Sequence, residues 1–248
     1  MITVHFLGTS GWFDSSAGNT MCTLIDAPDC YIILDAGMGL HKADTIITES
    51  KPIFIFLSHF HLDHTAGLHV LGKFRFNTPV EIYGPPGTEK YVGAILDHPF
   101  TMPAGELPYP VSIHDLDRQT PRGVTVKFAP LVHSTICYGY RFEFLGRSIC
   151  YCTDTGLCDG LAILAKDAEL FICECSFRPD EEVGTWPHLR PEDAATVARS
   201  CLARRLVLTH FDASRYQDEE SRAVAQKRAQ KIFPATIAAA DDMCVKLP

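Results

Sequence analysis

The segment LSHFHLDHTAGL at residues 57–68 holds three histidines and one aspartate within six positions, directly after the apolar run KPIFIF. His59 and His61 alternate at the end of a predicted strand, so both side chains can point the same way. Asp63 and His64 follow where we predict that a helix begins. Imidazole and carboxylate groups are ligands of zinc and similar cations. Four ligands this close cannot all serve one tetrahedral ion well, so we expect further ligands from elsewhere and a pair of metal ions.

Three more residues with ligand chemistry follow predicted strands farther along the chain. His133 comes after VTVKFAPLV, Asp154 after SICYCT, and His210 after RLVLT. A lone histidine is more often a structural residue than a ligand. However, all three lie at strand ends, and functional groups gather at one rim of a sheet scaffold. We therefore predict that they complete the metal site.

The elements that must position these residues alternate between strands and helices. Short apolar runs such as ITVHFLG, KPIFIFLSH, RSICYC and LFICEC predict strands. TAGLHVLGKF, TEKYVGAILDH, PEDAATVARSCLA and SRAVAQKRAQKIF have helical spacing, and TIAAADDMCVKL is predicted to close a sheet. No linker or repeat divides the 248 residues. The pattern favours two sheets packed face to face with helices outside.

Composition excludes several classes of protein. Hydrophobic residues make up 46% and charged residues 21%, as in ordinary globular domains, and no apolar run is long enough to span a membrane. The net charge of −8 argues against general attraction to nucleic acid. The basic cluster Arg222, Lys227, Arg228 and Lys231 is interpreted as the solvated face of a helix.

The ten cysteines form no CxxC pair, and no secretory signal is visible at the start of the sequence. We therefore interpret them as free thiols in a reducing cytoplasm, without a cysteine-bound third metal.

HFHLDH, His133, the TDT around Asp154 and the LTHF around His210 together resemble the metallo-β-lactamase fold superfamily. The motif order matches along nearly the whole chain, from FLGT at residues 6–9 to the last helix. The resemblance implies an α+β protein in one domain over residues 1–248. It also implies a four-layer αββα sandwich of two mixed sheets flanked by helices, and a dinuclear metal site.

By the same resemblance, His59, His61 and His133 would hold one ion, Asp63, His64 and His210 the other, and Asp154 would bridge them. The expected ions are Zn²⁺, with Mn²⁺ or iron as alternatives. Asp35 in LDAG matches a position that supports the ligands through hydrogen bonds. The alternative for Asp35 is an ordinary turn aspartate.

EIYGPPGTEKYV and HLRPEDAATVARSCLARRLVLTHFDASRY resemble ribonuclease Z and related phosphodiesterases. Glu174 and His188 match a glutamate–histidine pair near the leaving group, although Leu189 and Arg190 replace the small hydroxyl residues that usually follow the histidine. The resemblance implies that Asp63, Glu174 and His188 are catalytic, with His188 as the general acid. Arg215 and Tyr216 are predicted to contact a substrate phosphate.

Two departures weaken a role in tRNA processing. The loop SGWFDSSAGN lacks Lys and Arg, whereas ribonuclease Z has a basic loop there. The region between Tyr91 and His133 also has no room for the long arm that grips tRNA. We therefore expect a small or short phosphodiester substrate, as in the phosphonate-pathway cyclic phosphodiesterases, rather than a large RNA.

Three alternatives stay open. The protein could be a tRNA 3′ processing endonuclease, or a lactone, thioester or lactam hydrolase of the same fold. It could also be a non-catalytic metal-binding protein. That alternative is disfavoured, because keeping seven unused ligand groups buried together costs free energy. Family resemblance further suggests a homodimer.

Overall fold

Runs rich in Ile, Val, Phe and Tyr form the strands, as expected for side chains that pack on a pleated surface. The computed structural model describes residues 1–144 and 146–247. The strands are β1 (Ile2–Gly8), β2 (Ser10–Gly11), β3 (Cys22–Asp26), β4 (Tyr31–Leu34), β5 (Ile53–Phe56), β6 (Val80–Gly84), β7 (Val111–Asp115), β8 (Thr125–Leu131), β9 (Cys137–Phe144), β10 (Arg147–Cys152), β11 (Leu170–Glu174), β12 (Leu206–Thr209), β13 (Phe211–Asp212), β14 (Thr236–Ala238) and β15 (Cys244–Leu247).

The last two α-helices begin at sequence signals expected for helix starts. The α-helices are α1 (Leu62–Thr65), α2 (Thr88–Ile95), α3 (Asp159–Ala165), α4 (Pro191–Ser200) and α5 (Glu219–Gln230), and 3-10 helices span Met38–Thr45, Ala66–Lys73 and Ala104–Glu106. Pro191 occupies the first turn of α4, where its missing N–H removes no hydrogen bond. Asp218 caps α5 by accepting a hydrogen bond from the Ser221 N–H at 2.8 Å.

The chain forms two compact units, which are described separately. The first unit comprises residues 1–9, 19–121 and 241–247, and the second comprises residues 10–18, 122–144 and 146–240.

The first unit contains a mixed sheet in the order β15-β1-β3-β4-β5-β6-β7. β15, β1, β3 and β4 are antiparallel neighbours, whereas β4, β5, β6 and β7 run parallel. The parallel strands β4 and β5 are apolar and buried throughout, as is typical of strands covered on both faces. Because β4 and β5 run parallel, the segments that follow them leave the sheet at the same edge.

The second unit contains a mixed sheet in the order β14-β12-β11-β10-β9-β8. β10, β11, β12 and β14 are parallel, and β8 and β9 complete the sheet as antiparallel neighbours. A short parallel pair of β2 and β13 also belongs to this unit. Its core packs residues of β10, β11 and β12 against α3 and α4, among them Phe171, Leu206, Leu161 and Ala194.

Most of the predicted elements are present. TEKYVGAILDH, PEDAATVARSCLA and SRAVAQKRAQKIF contain α2, α4 and α5, whereas TAGLHVLGKF is mainly a 3-10 helix. TIAAADDMCVKL is not one strand, because β14 pairs in the second unit and β15 pairs in the first. The sequence interpretation omitted β7 and α3. The single domain over residues 1–248 stays a prediction.

Within residues 1–144 and 146–247, no helix combines the length and apolar character that crossing a bilayer requires.

Candidate metal centre and neighbouring catalytic residues

The HFHLDH segment forms a compact imidazole cluster in the first unit. The predicted strand ends at Phe56, so His59 and His61 lie in the loop before α1, not on the strand. Their ring centroids are nevertheless 4.5 Å apart, and those of His59 and His64 are 4.3 Å apart. His59 and His64 are fully buried, whereas His61 is exposed. The loop and the first turn of α1 thus bring these three side chains together.

Asp35 supports this cluster from the end of β4. One carboxylate oxygen, Oδ1, accepts the Ser58 N–H at 2.7 Å, and the other, Oδ2, lies 2.7 Å from His64 Nδ1. All three residues are fully buried. A carboxylate only accepts, so Nδ1 of His64 carries the proton and its Nε2 presents a lone pair. These contacts favour the ligand-orienting role of Asp35 over an ordinary turn aspartate.

Ser58 is a member of this network that the sequence interpretation missed. Its Oγ lies 2.8 Å from Asp35 Oδ2 and 3.0 Å from His59 Nδ1. A serine hydroxyl can donate once and still accept, so it can link the carboxylate to the imidazole. No sequence spacing predicts that a serine links these two side chains. The one available signal is that Ser58 directly precedes His59.

A close backbone contact fixes α1 beside the loop that carries Asp35. The Ala36 N–H donates to His64 O at 2.8 Å, and the Gly67 N–H donates to Ala36 O at 2.8 Å. A Cβ on Gly67 would lie 2.0 Å from the Gly37 carbonyl oxygen. Glycine at position 67 therefore permits the approach that lets Asp35 reach His64.

In the second unit, His133, Asp154 and His210 follow β8, β10 and β12, as the sequence predicts. Asp154 Oδ2 lies 3.0 Å from His210 Nε2, and Asp154 Oδ1 lies 3.7 Å from His133 Nε2. Their side chains are at most 5% exposed. Asp154 therefore faces both imidazoles, one through each carboxylate oxygen.

Ser176 fixes the ring orientation of His210. Its hydroxyl donates to His210 O at 3.1 Å, and its Oγ lies 3.0 Å from His210 Nδ1. Because the hydroxyl hydrogen is directed to the carbonyl, Oγ accepts from Nδ1–H, and Nε2 presents a lone pair. Gly11 lies against the same ring, where a Cβ would approach His210 Cε1 to 2.5 Å.

The positions of the ring protons indicate whether a cation can bind between each histidine and the neighbouring carboxylate. Within the first unit, His64 Nε2 faces Asp63 Oδ2 at 3.4 Å, and within the second, His210 Nε2 faces Asp154 Oδ2 at 3.0 Å. In each pair Nδ1 is engaged by another group, so Nε2 is the ring atom left to bind a cation, and it lies beside a carboxylate oxygen. A divalent cation would fit between the two partners, because imidazole with carboxylate is a zinc-type donor set.

Glu174 and His188 form a hydrogen-bonded pair in the second unit, in which the glutamate is fully buried and the histidine is partly buried. Glu174 ends β11, is fully buried and lies with Oε1 2.8 Å from His188 Nδ1. Burial alone would lower the pKa of His188, but the charge and hydrogen bond of Glu174 outweigh it and raise the pKa to about 9. The imidazole is therefore protonated at neutral pH.

The Glu174 carboxylate is held by three backbone donors as well. Thr155 N–H donates to Oε1 at 2.7 Å, and the N–H groups of Ser176 and Leu189 donate to Oε2 at 3.1 and 3.2 Å. These backbone contacts fix the acceptor independently of His188. Sequence motifs predicted the pair but could not reveal these donors.

His188 lies beside the ligand candidates of its own unit. Its ring centroid is 5.5 Å from that of His133 and 5.9 Å from that of His210. One potential ligand atom each of His133, Asp154 and His188 lies within 4.8 Å of the others. The geometry of the second unit therefore places His188 directly beside three of the candidate ligand atoms.

Arg215 and Tyr216 lie differently from the prediction. The Arg215 guanidinium is bound to Glu181 at 2.9 Å and to Asp212 at 2.7 Å, so a phosphate would have to compete with two carboxylates. Tyr216 is fully buried, and its hydroxyl donates to Phe177 O at 2.6 Å. The structure does not support the predicted substrate contact of Tyr216 and gives it a packing role instead.

Comparison with known proteins agrees with this arrangement of motifs. Residues 31–211 match the family model described as "Beta-lactamase superfamily domain". Ribonuclease Z of Methanothermobacter thermautotrophicus is 27% identical over 100% of this chain and 97% of its own length. The predicted resemblance to ribonuclease Z is thereby confirmed as a similarity in sequence.

Solved structures agree with the fold. The metallo-beta-lactamase fold protein YhfI of Bacillus subtilis superposes with a TM-score of 0.80 at 20% identity, over 99% of this chain and 100% of that one. The short form of human tRNase Z superposes with a TM-score of 0.77 at 25% identity, over 99% of each chain. The predicted α+β metallo-β-lactamase fold and the hydrolase class are confirmed. The family model covers well over half of the chain, which therefore belongs to the beta-lactamase superfamily.

Proposed function

We propose that the protein is a metal-dependent phosphodiesterase in which His188 is the general acid. The observation that carries this proposal is the Glu174–His188 pair, because a buried carboxylate keeps the imidazole charged beside the candidate ligands of the second unit. Phosphodiester hydrolysis needs such an acid, since an alkoxide leaves poorly. The ribonuclease Z relative, aligned over the whole chain, supports the same reaction type.

The proposed metal ligands are those that the sequence motifs assign. His59, His61 and His133 would hold one ion, Asp63, His64 and His210 would hold the other, and Asp154 would serve both. Zn²⁺ is the proposed metal, with Mn²⁺ or iron as alternatives. When bound, such ions supply Lewis acidity and lower the pKa of a coordinated water towards neutrality.

The chain's own residues supply proton transfer and orientation. Glu174 holds Nδ1–H of His188, which leaves the proton on Nε2 to protonate the departing oxygen. Asp35 and Ser176 fix the tautomers of His64 and His210. Asp63 is proposed to act in catalysis as well as in metal binding.

We propose a small or short phosphodiester as the substrate rather than a large RNA. The net charge of −8 gives little attraction to a long polyanion. The alignment with the archaeal ribonuclease Z extends over 311 residues, whereas this chain has 248, so that relative carries segments that this chain lacks. tRNA 3′ processing is the second candidate, favoured by the likeness to the short form of human tRNase Z.

The first test is metal analysis followed by a substrate panel. The panel comprises bis-p-nitrophenyl phosphate, 2′,3′-cyclic nucleotides, a dinucleotide, a precursor tRNA, a lactone and a β-lactam. Turnover of the phosphodiesters alone would support the proposal. Preferred cleavage of the lactone or β-lactam would contradict it, and clean cleavage of the tRNA at its 3′ end would overturn the preference for small substrates.

The sharper test uses His188→Ala with two leaving groups. We expect kcat on a dinucleotide to fall about 100- to 10,000-fold, because its alkoxide needs a proton. The rate on bis-p-nitrophenyl phosphate should fall much less, since p-nitrophenolate leaves without one. Equal losses on both substrates would show that His188 acts as a ligand or structural residue instead.

Localisation and assembly complete the proposal. We propose a cytoplasmic protein, in keeping with its ten free cysteines. We also propose a homodimer, which light scattering of the purified protein would test.

A further inference from the structure

Trp186 is an exposed aromatic residue held next to the proposed general acid. Its side chain is 64% exposed. Its ring centroid is 6.2 Å from that of His188, and the two ring planes differ by only 13°. An indole this exposed leaves ring surface open to a ligand.

The chain fixes Trp186 relative to His188 by a tight turn. The His188 N–H donates to Trp186 O at 2.9 Å across Pro187, and proline restricts the backbone of the residue before it. His188 is itself fixed by Glu174. The backbone that carries the indole is therefore fixed relative to His188, and the two rings lie nearly parallel.

The start of the same loop is anchored by ion pairs. Glu181 pairs with Arg215 at 2.9 Å, and Asp180 pairs with Arg228. Beyond these anchors, Gly184 has no atom within 4 Å of the place where a Cβ would lie. Open space therefore adjoins the part of the loop that carries Trp186.

The chemistry of this loop is suited to a flat ring rather than to a phosphate chain. Glu181 and Asp180 engage the guanidinium groups of Arg215 and Arg228, so a phosphate chain would have to compete with carboxylates for these cations. Aromatic side chains, by contrast, bind nucleobases through their faces without needing positive charge. A nucleotide's base and phosphate are separated by one sugar ring, and the Trp186 ring centroid is 6.2 Å from that of His188.

We infer that Trp186 is a specificity-determining residue that stacks on a nucleobase of the substrate. The inference rests on the proposed phosphodiesterase function and narrows its substrate class to phosphodiesters of nucleosides. Trp186 binds the base adjoining the scissile phosphate and so places the leaving oxygen at His188. The substrate is selected by stacking, with little dependence on which base is present.

The kinetic test compares Trp186→Leu with Trp186→Phe on three substrates. These are a dinucleotide and its two analogues that each lack one base. We expect Trp186→Leu to raise KM for the dinucleotide about 5-fold or more with a smaller change in kcat, whereas Trp186→Phe keeps most of the affinity. The effect of Trp186→Leu should disappear on one of the two abasic analogues. Equal effects on all three substrates, or no effect on any, would overturn the inference.

A binding test separates this inference from the proposed function. Trp12 and Trp186 are the chain's two tryptophans, so Trp12→Phe leaves Trp186 as the sole indole reporter. Adenosine 5′-monophosphate should quench its fluorescence and ribose 5-phosphate should not. Quenching without any phosphodiester hydrolysis would contradict the proposed function but would still support base stacking on Trp186. Hydrolysis without quenching, or equal quenching by both compounds, would contradict base stacking.

Discussion

Glu174 Oε1 and His188 Nδ1 lie 2.8 Å apart, and three backbone N–H groups hold the same carboxylate in place. The glutamate is thus fixed whether or not the imidazole is charged. Its contribution to the pKa of His188 can be measured separately from its contribution to folding.

Glu174→Gln should move the basic limb of the pH–rate profile to lower pH. The general acid must be protonated, so kcat is lost as the pH rises through the pKa of His188. That pKa is raised to about 9 because Glu174 outweighs the effect of burial, and the neutral amide removes this contribution. The measurement is kcat against pH on a dinucleotide. An unchanged limb in the variant would show that another group titrates.

Asp35→Asn should weaken metal binding about 10- to 100-fold, because Asp35 fixes the proton on His64 Nδ1. Zinc titration calorimetry of the metal-stripped protein measures this change. Asp44→Asn is the matched control, since Asp44 pairs with Lys73 at the surface of the same unit. Equal zinc affinities in the two variants would show that Asp35 does not orient the metal ligands.

Gly11→Ala should lower kcat about 100-fold while the fold is kept, because a Cβ would displace the His210 ring. Circular dichroism and steady-state kinetics together check this result. Gly93→Ala provides the comparison, since a Cβ at that position of α2 has no neighbour within 4 Å. It should stabilise the protein by up to about 1 kcal/mol and leave kcat unchanged.

Tyr216→Phe should reduce the free energy of unfolding by about 1 kcal/mol through loss of the hydrogen bond to Phe177 O. KM should not change, because the hydroxyl is buried. Urea unfolding and substrate kinetics give the two quantities. A raised KM at unchanged stability would restore the substrate contact first predicted for this residue.

The buried thiols should resist alkylation in the native protein. Burial raises the pKa of Cys152 and Cys173 well above the usual value, so neither forms the reactive thiolate. Cys244 is exposed and should react first with iodoacetamide. Peptide mass spectrometry resolves the sites, and rapid labelling of Cys173 would indicate that the second unit opens.

The sequence predicted best those residues whose chemistry is rare. Imidazoles and carboxylates at strand ends marked His133, Asp154 and His210, because all three share one kind of position, and the structure brings them together. Ser58 and Ser176 escaped notice because a serine has many uses, and only the structure shows their hydrogen-bond partners.

Strand ends, side-chain environments and strand pairing were harder to predict where the local sequence pattern does not determine them. The 57–61 segment continues the apolar run of β5, yet the strand ends at Phe56 and the histidines belong to a loop. Arg215 and Tyr216 are adjacent in sequence, yet one pairs with carboxylates and the other is buried. β14 and β15 lie close in sequence but pair in different units, because long-range pairing decides the sheet of each.

Asp35, Asp154 and His210 all have left-handed backbones, with φ of 58°, 52° and 53°. Side chains with a Cβ adopt this region at a cost of about 1–3 kcal/mol. Glycine at any of them would relieve the backbone but remove an oxygen or nitrogen donor. In relatives that no longer need catalysis, glycine should therefore replace these three residues early. The free energy of unfolding would then increase while the activity is lost.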